Sequence, residues 1–193
     1  MKKPNGYDDC NINSNNTKPE AGGHKAIILN LEECKSKTGK DMVKVYFDFD
    51  KDDAQAGLFT AKYKANDKPD KKWPFDGTKW ILAEDNEGNT NKQFKRFITA
   101  VEQSNNMTVN WEAKDFAAQF KKKKVGIVFG EEEREYNGKI YTDAKPQFFV
   151  EYKEAEKAKT PAVKELVKKD EPTDTPPEGF TPIPEPTEDD MPF

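Results

Sequence analysis

The sequence has one histidine, His24, and two cysteines, Cys10 and Cys34. A lone imidazole with no serine or cysteine placed beside it by motif suggests no nucleophilic site. The cysteines lack metal-ligand spacing and read as free thiols, which suits a reducing compartment. No apolar run reaches the length of a membrane span, and the N-terminal stretch carries no apolar signal core. A soluble, cytoplasmic protein is therefore expected. A glycine-rich phosphate cradle is missing as well. The pairs Asp48/Asp50 and Asp52/Asp53 offer oxygen ligands of the kind Mg²⁺ takes. They sit where a strand runs into a polar turn, where carboxylates are ordinarily solvated. The expectation is a non-enzyme with no metal and no cofactor.

Hydrophobic residues make up 34% of the 193 and charged residues 35%, a poor ratio for a chain packed along its whole length. The charge is unevenly placed. Residues 1–153 carry 27 Lys and Arg against 25 Asp and Glu; residues 154–193 carry 5 against 11. The acidity belongs to the end of the chain. From Asp170 to Phe193 there are eight acidic residues, no basic ones, and seven of the thirteen prolines. Such a segment cannot bury enough apolar surface to offset its ordering entropy. Three units are expected: a flexible arm over 1–22, a folded body over 23–153, and a disordered Pro-rich acidic tail over 154–193.

Within the body, His24 to Cys34 reads as a strand with Ile27, Leu29 and Leu31 on one face. Gly39 sits where a turn needs positive φ. Met42 to Asp50 is the clearest strand, with Val43, Val45, Phe47 and Phe49 inward and Lys44, Tyr46, Asp48 and Asp50 outward. The two form a hairpin. Leu58 to Lys64 reads as a third strand, and Asn66 to Gly77 as a loop. Trp80 to Ala83 is an apolar run of either type. Asn91 to Gln103 is an amphipathic helix striped by Phe94, Phe97, Ile98 and Val101. A short helical turn follows over Asp115–Phe120, then a strand from Val125. Asn137-Gly138 marks a tight hairpin, and Phe148 to Val150 closes the sheet. Glu131 to Glu135 reads as a solvated strand edge that blocks pairing. Pro161 to Lys169 reads as a transient helix. The pattern is mainly β, and suits a small Greek-key barrel of the OB type with one main helix; a sandwich with one helix is the alternative.

Single strands are held by bases stacked on aromatics and by Lys or Arg along the backbone. Both types occur here. Lys44 and Tyr46 share the outer face of one expected strand, and Lys62 and Lys64 that of the next. Lys71, Lys72, Trp73 and Phe75 crowd one loop. Lys95 and Arg96 lie on the helix, and Lys121, Lys122, Lys123 and Lys124 precede a strand. Trp73 and Phe75 fit a barrel plug as well as a stacking platform. Trp80 and Trp111 read as core.

The chain closes on Glu188-Asp189-Asp190-Met191-Pro192-Phe193, an acidic arm tipped by apolar side chains. This resembles the acidic tip of bacterial single-stranded DNA-binding proteins, which ends Asp-Asp-Ile-Pro-Phe: Asp189, Asp190, Pro192 and Phe193 match and Met191 replaces Ile. With an OB-like body before it, and segments such as Gln93-Phe94-Lys95-Arg96-Phe97-Ile98, the chain resembles phage-encoded single-stranded DNA-binding proteins. The resemblance implies binding and protection of single-stranded DNA during replication and recombination in the host cytoplasm. It also implies recruitment of replication proteins through the tip, and it leaves homo-oligomerisation open. A strand-annealing protein shares that chemistry. An acidic decoy of host replication proteins would use the tip alone.

Overall fold

The computed structural model describes residues 18–166. The expected arm up to residue 17, and the acidic linker and tip over 167–193, lie outside the described residues. Five strands form one antiparallel sheet: β1 (Gly22–Lys35), β2 (Asp41–Phe49), β3 (Thr78–Leu82), β4 (Lys124–Tyr136) and β5 (Lys139–Val150). Two α-helices accompany them, α1 (Leu58–Ala65) and α2 (Lys92–Asn105), with short 3-10 turns at Phe75–Gly77, Ala117–Phe120 and Tyr152–Lys157.

The fold is mainly β, as expected. The sheet order is β3-β2-β1-β4-β5, so the fourth strand returns beside the first in Greek-key fashion. The barrel, however, is not closed, because β3 and β5 share no ladder. A side chain spans the seam instead. Lys79 Nζ donates to the Pro146 carbonyl at 2.8 Å, and burial pushes its pKa below the ordinary lysine value.

The inward set of β2 is buried as the alternation predicts. Phe47 packs edge-on to Phe59, Phe129 and Phe149. Helix α2 closes the core with Phe94, Phe97, Ile98, Ala100 and Val101, and Phe97 lies 4.9 Å from the Phe149 ring. Each of the Phe, Ile and Val side chains contributes about 1.5–3 kcal/mol through burial. The Asn91 side chain caps α2 by accepting from Gln93 N. Asn137 and Gly138 both take positive φ, the primed turn their sequence calls for.

Several expectations fail for local physical reasons. The expected strand Leu58–Lys64 is helix α1. Buried Asp48, assigned to an outer face, accepts from Phe59 N and Thr60 N at 2.9 Å each, as well as from its neighbour Phe49 N. A carboxylate at that point supplies the partners a helix start lacks. Asp50 is buried too, and accepts from the Tyr152 hydroxyl. In β1 the register slips between Ile28 and Asn30. The bulge brings Leu31 into the core with Ala26 and Ile28, so Ile27, Leu29 and Leu31 do not share one face. Glu131–Glu135 pairs with β5 on one side, out to Tyr136 opposite Lys139, while on the other side β1 ends opposite Phe129.

The first part of the expected tail is packed. Ala155 is fully buried; a Cβ on Gly23 would sit 1.7 Å from the Ala155 carbonyl oxygen, so only glycine fits beneath it. Further on, Lys164 pairs in parallel with Glu132, through Lys164 N to Glu131 O and Glu133 N to Lys164 O. The expected helix over Pro161–Lys169 is therefore absent as far as Leu166; the remainder falls outside the described residues. At the other end, Lys18 donates to Asp143 at 2.7 Å and Glu20 N to Gln55 at 3.0 Å, which ties the last residues of the expected arm to the body.

Candidate functional site

The pairing of β1, β2 and β3 lays the outer face out in rows. Glu32, Lys44 and Trp80 form one row; Asn30, Tyr46 and Thr78 form the next. The segment between α1 and β3 folds over this face. Together they make an open groove of about 730 Å³, lined by Lys44, Tyr46, Tyr63, Lys71, Lys72, Trp73, Phe75, Thr78 and Trp80.

Aromatic rings form its floor and walls. Phe75 and Trp80 lie 5.0 Å apart with a 38° tilt, and both are exposed, at 65% and 38%. Tyr63 and Trp73 form a second pair at 5.7 Å. Trp73 is half-buried and donates its indole N–H to Gly77 O at 2.9 Å. A Cβ on Gly77 would press against Trp73 and the Phe59 ring, so this wall is packed down onto the core. Trp73 thus lines the groove on one side and packs down beside Gly77 and Phe59 on the other.

Ammonium groups stand over these rings within cation–π range. Lys44 Nζ is 4.6 Å from the Tyr46 ring centre and 5.5 Å from that of Trp80. Lys71 stands 4.9 Å over Tyr63, and Lys145 stands 5.5 Å over Phe75. Contact with the Tyr46 hydroxyl, then Glu32, raises Lys44 above its ordinary pKa. Burial pushes Tyr46 upward in turn. Its hydroxyl donates to Glu32 at 2.7 Å.

Six of the fourteen body residues expected to touch DNA therefore converge: Lys44, Tyr46, Lys71, Lys72, Trp73 and Phe75. The other eight lie outside the lining. Lys62 is half-buried on α1, near Phe59, where burial lowers its pKa. Lys64 is exposed in the last turn of α1. Lys95 borders a separate cleft beside Trp111. Arg96 lies 3.7 Å over Phe148. Lys121, Lys122 and Lys123 lead through a turn and Lys124 opens β4, so the four make no basic stripe. Lys122 N donates to Ile28 O, Ile28 N donates to Lys123 O, and the Lys124 ammonium lies 3.5 Å from Asp50.

Sequence reasoning misses Trp80, Tyr63, Thr78 and Lys145. Trp80 reads as core, yet it faces outward opposite Lys44 while Ile81 takes the inward position. Trp111 likewise reads as core, but it is 61% exposed and stacks on Phe116. The signal for Trp80 lies in the alternation Thr78, Trp80, Leu82, but a five-residue strand is too short to settle its phase alone.

His24 is structural. Its imidazole stacks 4.3 Å from Phe49 and bonds to Asp53 and Glu20 O. The acidic pairs are engaged as helix, turn and hydroxyl partners, and no cluster of metal-ligating side chains occurs among the described residues. Nor, among them, is any helix long and apolar enough to cross a membrane. No family model matches the chain, and no curated protein aligns with it significantly.

Proposed function

We propose that this chain binds single-stranded DNA with little sequence preference, as a phage-type replication and recombination protein. The observation that carries the reading is the groove over β2 and β3, where exposed Phe75 and Trp80 form a tilted ring pair beside Lys44, Lys71 and Lys72. Unpaired bases present flat faces that such rings accept, and the lysines neutralise the phosphates between them. The Tyr46 and Thr78 hydroxyls and the Trp73 indole N–H already donate within the protein, so base identity goes largely unread. Duplex hides its base faces and loses the stacking contribution.

The test is titration of the full chain with labelled oligo-dT and with duplex of equal length. Each neutralised phosphate on a single strand contributes about −0.7 to the log–log salt slope. Contact by Lys44, Lys71, Lys72 and Lys145 would give a slope of roughly −3. Affinity that stays flat between low and moderate salt, or duplex bound as well as oligo-dT, refutes the reading.

The acidic tip Glu188–Phe193 lies outside the described residues and supports a second arm of the proposal. Phe193 offers a ring and a carboxylate to a basic, apolar pocket on a replication protein, while Glu188, Asp189 and Asp190 steer the encounter. Removing Phe193 alone should abolish capture of such partners in a pull-down and leave oligo-dT binding intact. Capture without any oligo-dT binding is the result the acidic-decoy alternative requires. Accelerated pairing of complementary strands marks the annealing alternative.

A further inference from the structure

The tilted pair Phe75–Trp80 carries a lysine over each ring, and each of these lysines already has a carboxylate. Lys44 stands over Trp80, with Glu32 Oε2 3.8 Å from its ammonium. Lys145 stands over Phe75 and donates to Asp76 Oδ1 at 2.6 Å. Both arrangements follow from the fold. Glu32 lies opposite Lys44, and Lys44 opposite Trp80, in one row of the sheet. Asp76 follows Phe75 directly in its 3-10 turn. Lys71 and Lys72, the other lysines of the groove, form no ion pair among the described residues.

Building on the single-strand reading, we propose that Glu32 and Asp76 set the groove's ligand preference: they occupy the two ring-capping lysines in place of phosphates, so only a ligand that also stacks bases on Phe75 and Trp80 displaces them with net gain. A ligand that offers phosphates alone exchanges one anion for another at Lys44 and Lys145. The displaced carboxylates stay tethered beside the groove and repel it at short range. A nucleotide strand places uncharged bases on the two rings beside Glu32 and Asp76 and its phosphates farther out, so it meets less of that repulsion and adds stacking. The carboxylates also keep each ammonium over its ring in the empty groove. Glu32 does this doubly, because it accepts from the Tyr46 hydroxyl as well.

The experiment is competition on the full chain. A fluorescent oligo-dT is displaced either by unlabelled oligo-dT or by inorganic polyphosphate of matched phosphate number, and the ratio of the two midpoints is read. In the parent protein polyphosphate should compete far more weakly. In Glu32→Gln/Asp76→Asn the ratio should move at least tenfold toward polyphosphate, with each single substitution moving it part of the way. Glu131→Gln/Glu135→Gln makes the same change in net charge on exposed positions of the β4–β5 ribbon, and should leave the ratio where it was. A ratio unchanged within twofold in the groove variants overturns the proposal. So does an equal shift in the ribbon variant, which would make bulk charge the cause. Should the double variant fail to fold, the single variants decide by the same twofold criterion. A parent protein that does not bind oligo-dT overturns the proposed function as well, so the two failures are distinct.

Discussion

Replacing Trp80 by alanine separates a stacking platform from a structural indole. Trp80 projects from the outer face of β3, partly covered by Phe75 and the Lys44 stem. Its removal opens no cavity in the core, and a substitution of this kind shifts folding stability by about 0.5 kcal/mol. Loss of one stacked base costs about 1–3 kcal/mol, which is roughly a five- to 150-fold rise in Kd. Trp73→Ala should behave in the opposite way. It deletes the hydrogen bond to Gly77 O, about 0.5–1.5 kcal/mol, and leaves a hole beside Phe59. Complete truncation of a core aromatic costs about 3–5 kcal/mol; Trp73 is half-buried, so the combined loss should be roughly 2–3 kcal/mol. Urea melts measure stability, and titration of labelled oligo-dT measures binding. The reasoning is refuted if Trp80→Ala binds like the parent while a well-folded Trp73→Ala loses the interaction. That outcome would return the platform to the loop residue that the sequence alone favours.

Two further predictions concern the fold around the groove. Asp48→Ala leaves the Phe59 and Thr60 N–H groups at the start of α1 without partners. A lost cap costs about 0.5–2 kcal/mol; burial should place this one at the upper end, with amide exchange accelerating across Leu58–Ala65. Asp143 is held down to about 2, first by the Arg134 guanidinium and then by Lys18. Because its folded pKa lies below the unfolded value, it stabilises the protein above the ordinary Asp range and loses that contribution as pH falls toward 2. The difference in Tm between Asp143→Asn and the parent should therefore be full at pH 6 and shrink steadily from pH 5 to pH 2. A constant difference would assign the effect of the substitution to packing.

The parts of the fold that can be read from the sequence are those where one local rule acts alone. Strand β2 alternates because one face is buried, and α2 carries a 3.6-residue stripe for the same reason. The Asn137-Gly138 turn is set by two residues that tolerate positive φ. Where a distant group decides, the local pattern misleads. Phe59, Ala61 and Tyr63 satisfy a strand period, while Phe59 and Tyr63 alone satisfy a helical one. The choice is made by Asp48, which is remote from the segment's interior but reaches its first amides. The bulge in β1 is another such case, because one skipped residue reverses the facing of every residue beyond it.

The candidate site shows the same division at the level of chemistry. Residue types are legible, and so are Lys44 and Tyr46 on one face, because β2 is. Convergence is not, because it depends on which strand lies beside β2. With Leu58–Lys64 taken as the neighbour, Lys62 and Lys64 extend the basic face. With β3 in that place, Trp80 faces Lys44 and the surface gains an indole instead of two lysines. The four-lysine run shows how far charge counting carries: its backbone is tied to Ile28 and one of its ammonium groups faces Asp50. A lysine can serve a ligand only to the extent that the fold leaves it unpaired or pairs it weakly. By that measure Lys71 and Lys72, which form no ion pair among the described residues, stand ready, and Lys44 and Lys145 must first give up a carboxylate.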